Sequence, residues 1–138
     1  KRELERLKRI AKTEGVFDDM RFRDEIAKLE VDIIALEMMV LRVLSAEKSG
    51  KQSLDIAGLL KIRGSEIQQR YSELMMLAAG PFSLPFIYEA MDAGWQGDHV
   101  GAAHCAPLAS TYFNMRKTTI YGGSNEVQRN IVAKTVLG

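Results

Sequence analysis

The stretch Thr118-Thr119-Ile120-Tyr121-Gly122-Gly123-Ser124-Asn125-Glu126-Val127-Gln128-Arg129-Asn130-Ile131 decides how this chain is read. Two adjacent glycines permit positive φ and let a ligand approach the backbone closely. Either Ser124 or Asn125 can then cap a following helix. With Asn125 as the cap, Gln128 falls at the third helical position, close to a capping box. Free amides at that terminus, with the helix dipole behind them, suit a phosphate or the polar edge of a cofactor. Plain structural capping uses the same pattern, so the residues alone specify a reversal and a helix start rather than a ligand.

Outward from this stretch the chain reads as helix. Residues 1–14 place Leu4, Leu7, Ile10 and Ala11 on one stripe among charges, and Gly15 stops the pattern. Asp18 or Asp19 then serves as an N-cap. From 20 to about 49, Phe22, Ile26, Leu29, Ile33, Leu36, Val40 and Val43 recur every three or four residues. Ile34, Met38, Leu41 and Leu44 form a second stripe beside them. A helix of about thirty residues is about 45 Å long, and two stripes call for partners on two sides, in a bundle interior or a subunit interface. Ser49-Gly50 ends it, and Ser53 or Asp55 opens an antiparallel neighbour that runs to Gly80. Ala57, Gly58, Gly64 and Ser65 on that neighbour read as places of close helix approach.

Gly80-Pro81-Phe82-Ser83-Leu84-Pro85 is the strongest break in the chain. A helical turn or two over 86–93 and a polar loop with His99 and His104 follow. Those histidines are five apart across Gly101, without a Glu-x-x-His pair or a second cysteine, so the spacing predicts no metal site. Residues 107–117 form a helix with Leu108, Tyr112, Phe113 and Met115 on its packing side and Pro107 in its first turn. Val127, Ile131, Val132, Val136 and Leu137 give the last helix its apolar face. The expected architecture is all-α, an up-and-down helical bundle, one domain over 1–138.

Composition bounds the function. The net charge is +1, with Lys and Arg interleaved among Asp and Glu as on solvated helix faces, so nothing points to nucleic acid. No apolar run approaches a bilayer span. The single cysteine, Cys105, excludes an internal disulfide framework and fits a reducing, cytoplasmic compartment. The chain opens at Lys1 inside what already reads as helix, so it is expected to be the C-terminal part of a longer polypeptide.

The run from Ile120 onward, IYGGSNEVQRNIVAKTVLG, resembles the C-terminal signature of the acyl-CoA dehydrogenases, flavoproteins whose last domain is an all-helical bundle. The resemblance implies FAD as cofactor, an acyl-CoA substrate that undergoes α,β-dehydrogenation, an electron-transfer acceptor, and a homo- or hetero-oligomer, dimer or tetramer. It implies that Gly123, Ser124, Asn125, Glu126 and Arg116 bind the cofactor, with Ser124 and Glu126 on its adenosine-diphosphate part. Ala79-Gly80 is similar to a Gly-rich turn that approaches the flavin of a neighbouring subunit, although Pro81 replaces the second glycine.

Many members carry the catalytic glutamate immediately after the signature tyrosine. Here that position is Gly122, which transfers no proton. The resemblance then puts the base on the first helix of the domain, upstream of Lys1. Glu5, in Leu4-Glu5-Arg6-Leu7, is the local alternative and reads as an exposed face residue. In a third reading the polypeptide has no base and is a non-catalytic helical scaffold beside an active partner subunit.

Overall fold

The computed structural model describes residues 1–48 and 54–137. The expected helix end at Ser49-Gly50, the cap at Ser53, the side chains of Asp55 and Ile56, and Gly138 lie outside the described residues.

Helix α1 (Arg2–Thr13) forms as its spacing predicts, with Leu4, Leu7, Ile10 and Ala11 all buried. Gly15 ends it at φ 75°, a left-handed conformation that a Cβ would oppose. After a 3₁₀ turn at Val16–Asp18, the Oδ1 of Asp19 accepts the amide of Arg21 at 2.8 Å and caps α2 (Met20–Lys48). Of the two aspartates available, Asp19 is therefore the cap.

Helix α3 (Leu54–Ala79) is the axis of the molecule, in contact with α1, α2, α4 (Leu108–Met115) and α5 (Asn125–Leu137). Arg63 pairs with Asp32 and Arg70 with Glu25, so advancing along α3 retreats along α2 and the two are antiparallel. Lys1 meets Glu37 and Lys8 meets Glu30, which sets α1 antiparallel to α2 as well. Such surface pairs fix direction more than they stabilise, at about 0–1 kcal/mol each. The result is an up-and-down all-α bundle, and among the described residues no helix is long and apolar enough to cross a membrane.

The core occupies one end of this bundle. Leu7 of α1, Ile26 and Leu29 of α2, Leu74 and Met75 of α3, and Leu108 of α4 interlock there, with Phe22, Ile33 and Tyr71 packed around them. Each large aliphatic buried this way contributes about 1.5–3 kcal/mol relative to exposure. Beyond Ile33, α2 leaves that core. Its second stripe, Ile34, Met38, Leu41 and Leu44, remains about half exposed, at 48–53%.

Expectations for two helices need correction. The last helix does not bury the apolar face expected of it: Val132 is half-buried, while Val127, Ile131, Val136 and Leu137 are exposed, because among the described residues α5 packs chiefly against α3. The contact is close because a Cβ at Gly58 would lie 2.9 Å from Val132 Cγ2 and 3.1 Å from Gln128 Oε1. Of the helical turn or two expected over 86–93, one 3₁₀ turn forms, Tyr88–Met91, and that expectation stands. In α4, Phe113 points outward against Phe86, and Pro107 is the residue before the helix rather than within its first turn.

Tyr71 ties α3 to α1, its hydroxyl donating to Glu3 Oε2 at 2.8 Å. Burial, then that hydrogen bond and the charge of Glu3, push the phenol above its ordinary pKa. A raised pKa means that the unfolded chain loses this proton first, so the contribution is present below the unfolded pKa and is lost as pH rises. We expect folding stability to fall above about pH 10, with Tyr71 adding up to about 1.4 kcal/mol per pH unit to the slope. Chemical denaturation of Tyr71→Phe across that range should lack this increment; an unchanged slope would contradict it.

Candidate functional site

The reversal at Gly122-Gly123 is held between two anchors. On its N-terminal side, α4 runs into a 3₁₀ turn, Arg116–Thr119, and Gln69 of α3 reaches across to it. The Gln69 Nε2 donates to the carbonyl of Arg116 at 3.1 Å, with longer contacts to Met115 O and Thr119 Oγ1, both 3.4 Å. Arg116 returns the interaction: its Nη2 donates to the carbonyl of Gln69 at 2.9 Å and to Ser72 Oγ at 3.0 Å. Its Nε donates to Tyr112 O at 3.2 Å, and the guanidinium stacks 4.1 Å above the Tyr112 ring. Arg116 is thus engaged with α3 and α4.

On the C-terminal side, Ser124 caps α5. Its Oγ accepts the amide of Val127 at 3.3 Å, and its carbonyl accepts the amide of Gln128 at 2.9 Å. The cap is Ser124 rather than Asn125, so Gln128 lies one position beyond a capping box. Its side chain instead donates to the carbonyl of Gly122 at 3.0 Å and closes the reversal. Gly122 and Gly123 have φ of 71° and 86°, and a Cβ on Gly123 would sit 2.6 Å from Gln128 Nε2. Position 123 therefore favours glycine for its conformation, and a Cβ there would also displace the end of the Gln128 side chain.

Asn125 and Glu126 differ in burial. Asn125 is buried, and its Oδ1 accepts from Lys61 Nζ at 2.7 Å and Ser65 Oγ at 3.2 Å, pegging α5 to α3. Glu126 has a side chain 78% exposed. Hydrogen bonds from its own backbone amide and then from the Ser124 hydroxyl hold its carboxyl below the usual range, so it is an anionic acceptor.

Between the reversal and α3 lies a cleft of about 320 Å³, lined by Lys61, Gly64 and Gln68 on one side and Thr118, Tyr121 and Gly122 on the other. Gly64, unlike Gly58, has nothing within 4 Å of where a Cβ would be, so it opens space instead of admitting a neighbouring helix. Sequence reasoning placed no site residue on α3. The available signal was the spacing of Lys61, Gly64, Ser65 and Gln68, which puts small and polar groups on one helical face.

Among the residues that line this cleft there is no carboxylate. Gly122 brings no titratable group to the cleft. Glu5 lies on the outer face of α1, 72% exposed and 3.7 Å from Lys8 Nζ. The Ala79-Gly80 segment turns at φ 57° into the 3₁₀ turn Gly80–Ser83, where Ser83 Oγ donates to Gly80 O at 2.7 Å and Met76 O at 3.0 Å.

Truncating Asn125 removes an acceptor from the Lys61 ammonium in a buried position. We expect Asn125→Ala to cost about 1–3 kcal/mol of folding free energy, read from the shift of the urea midpoint at unchanged slope. A shift near zero would show that the α3–α5 contact does not rest on this residue.

The chain matches the family described as acyl-CoA dehydrogenase, C-terminal domain, over residues 2–137. It is 28% identical over 137 residues to the acyl-CoA dehydrogenase IpdE1 of Mycolicibacterium smegmatis, covering 99% of this chain and 30% of that protein. It is 27% identical over 140 residues to the acyl-CoA dehydrogenase IpdE1 of Mycobacterium tuberculosis, covering 99% and 31%. The chain therefore spans about a third of the length of the curated relatives it matches. It belongs to the acyl-CoA dehydrogenase C-terminal domain family.

Proposed function

We propose, from the premise that this chain is an acyl-CoA dehydrogenase C-terminal domain, that its Gly122-Gly123-Ser124 reversal and Glu126 receive the adenosine end of FAD. The flavoprotein so formed would dehydrogenate an acyl-CoA thioester. The observation that supports this reading is the exposed reversal itself: two positive-φ glycines, the first of them lining a cleft, at the start of a capped helix. Its residues fit that end of the cofactor. An ionised Glu126 accepts hydrogen bonds from a ribose hydroxyl or an adenine amino group and repels a pyrophosphate. Asn125 and Arg116 serve the same site from behind, by fixing the turn on α3, instead of meeting the cofactor with their side chains.

When bound, FAD supplies the hydride acceptor. The other half of the reaction is removal of a weakly acidic α-proton, which requires a carboxylate of raised basicity in a dry pocket. Gly122 supplies no such group, so the base comes from elsewhere in the polypeptide or from a partner subunit. This chain by itself would then show no turnover, and the electron acceptor would act on the assembled protein. The half-exposed stripe of Ile34, Met38, Leu41 and Leu44 supports an oligomer, since aligned apolar side chains of this kind mark an interface. Gly122 together with that stripe also favours the second reading, a scaffold subunit that shares a flavin site without performing chemistry.

Flavin content of the intact protein tests the first reading. Because Glu126 is solvent-exposed, Glu126→Ala should leave the fold intact while weakening FAD binding roughly tenfold, the equivalent of one hydrogen bond to a charged group. Intact protein that contains no FAD and takes up none when it is added would sink the proposal. FAD bound without turnover would select the scaffold reading. For the interface, sedimentation should show an oligomer that shifts toward monomer in the double variant Met38→Glu, Leu41→Glu; a wild-type monomer at high concentration would count against it.

A further inference from the structure

At the C-terminal end of α1, away from the Gly122 cleft, three different ligand-type side chains converge. Glu14 is the residue that follows α1, and its Oε1 lies 2.7 Å from Nε2 of His104, which sits in the 3₁₀ turn Ala103–Cys105. Cys105 comes next in that turn and has no solvent exposure. The ligand atoms of Glu14, His104 and Cys105 all lie within 4.8 Å of one another, and the Glu14 and His104 side chains are only 20% and 24% exposed. His99 is not a member of this group; its Nδ1 lies 3.1 Å from Gly101 O. The spacing argument from sequence compared the two histidines and could not include a glutamate ninety residues away.

An oxygen, a nitrogen and a sulfur donor suit zinc, whose bonds to such atoms run about 2.0–2.3 Å. Two ligands on one tetrahedral ion then stand about 3.3–3.8 Å apart. The cluster needs adjustments on the order of an ångström, with the Glu14 to His104 separation opening by about half that. We propose that Glu14, His104 and Cys105 bind a zinc ion, with the fourth position taken by water. The charges balance: a dication, a carboxylate, a thiolate and a neutral imidazole sum to zero, which a partly buried site tolerates better than any net charge. On binding, the Cys105 S–H bond breaks, a zinc–sulfur bond forms and the proton leaves to solvent; no electron changes hands. In the metal-free protein, burial and then the charge of Glu14 hold the thiol up, and the cation opposes both influences. The bound ion joins the end of α1 to the segment that leads into α4.

Cobalt(II) titration of the intact protein, reduced and stripped of metal, tests this directly. We expect a thiolate-to-cobalt charge-transfer band that zinc abolishes, and a higher thermal midpoint in the presence of zinc. Cys105→Ser should remove the band, while Glu14→Gln and His104→Ala should weaken cobalt binding at least tenfold. Glu14→Gln keeps the size and an acceptor for His104, so it separates loss of the ion from loss of the fold, checked by unchanged helical circular dichroism. Absence of the band in wild-type protein, its persistence in Cys105→Ser, or undiminished affinity in Glu14→Gln and His104→Ala would each overturn the proposal.

Discussion

Gln69 and Arg116 exchange hydrogen bonds between α3 and the turn after α4, and the placement of the Gly122-Gly123 reversal depends on that exchange. The last carbonyls of a helix have no partner within it and must find one elsewhere. Here the amide of Gln69 reaches the carbonyls at the end of α4, while Arg116 reaches back to a carbonyl and a hydroxyl on α3. The 3₁₀ turn is thus held at both ends, and the chain leaves it in a defined direction toward Gly122.

The same helix does different work along its length. Near its C-terminus α3 is apolar and closes the core with Leu74 and Met75. Near its N-terminus it presents Gly58 to α5 and Gly64 to the cleft. Asn125 makes the second half of the clamp, turning a buried amide oxygen toward Lys61 and Ser65 so that the first turn of α5 stays near α3. The exposed Glu126 is then displayed beside the reversal because its neighbour is anchored. Anchored from behind in this way, the reversal has the rigid support that the proposed cofactor contact requires.

The architecture was legible because helical periodicity is a local property. The stripe of Leu4, Leu7, Ile10 and Ala11 is buried as its spacing requires, Gly15 is left-handed where the pattern stops, and Asp19 caps where a cap was needed. The reading was weaker where the outcome depended on neighbours. Val127 and Ile131 have helical spacing yet stay exposed, since periodicity identifies a face but not whether anything covers it. Within the signature, Ser124 and Asn125 were equivalent as caps, and the half-buried Lys61 and buried Ser65 drew Asn125 inward and left Ser124 to cap.

By itself the sequence determined an all-α bundle, the glycine reversal before the last helix, and the lack of a proton-transferring side chain at position 122. These follow from hydrophobic spacing, from the conformational freedom of glycine and from side-chain chemistry, none of which needs a distant residue. The tertiary structure alone decided that Arg116 braces α3, that Gly64 faces a cleft while Gly58 meets a helix, and that Glu14 stands against His104 and beside Cys105. Those outcomes depend on which surfaces meet when residues up to ninety positions apart are packed together, and a linear pattern does not carry that information.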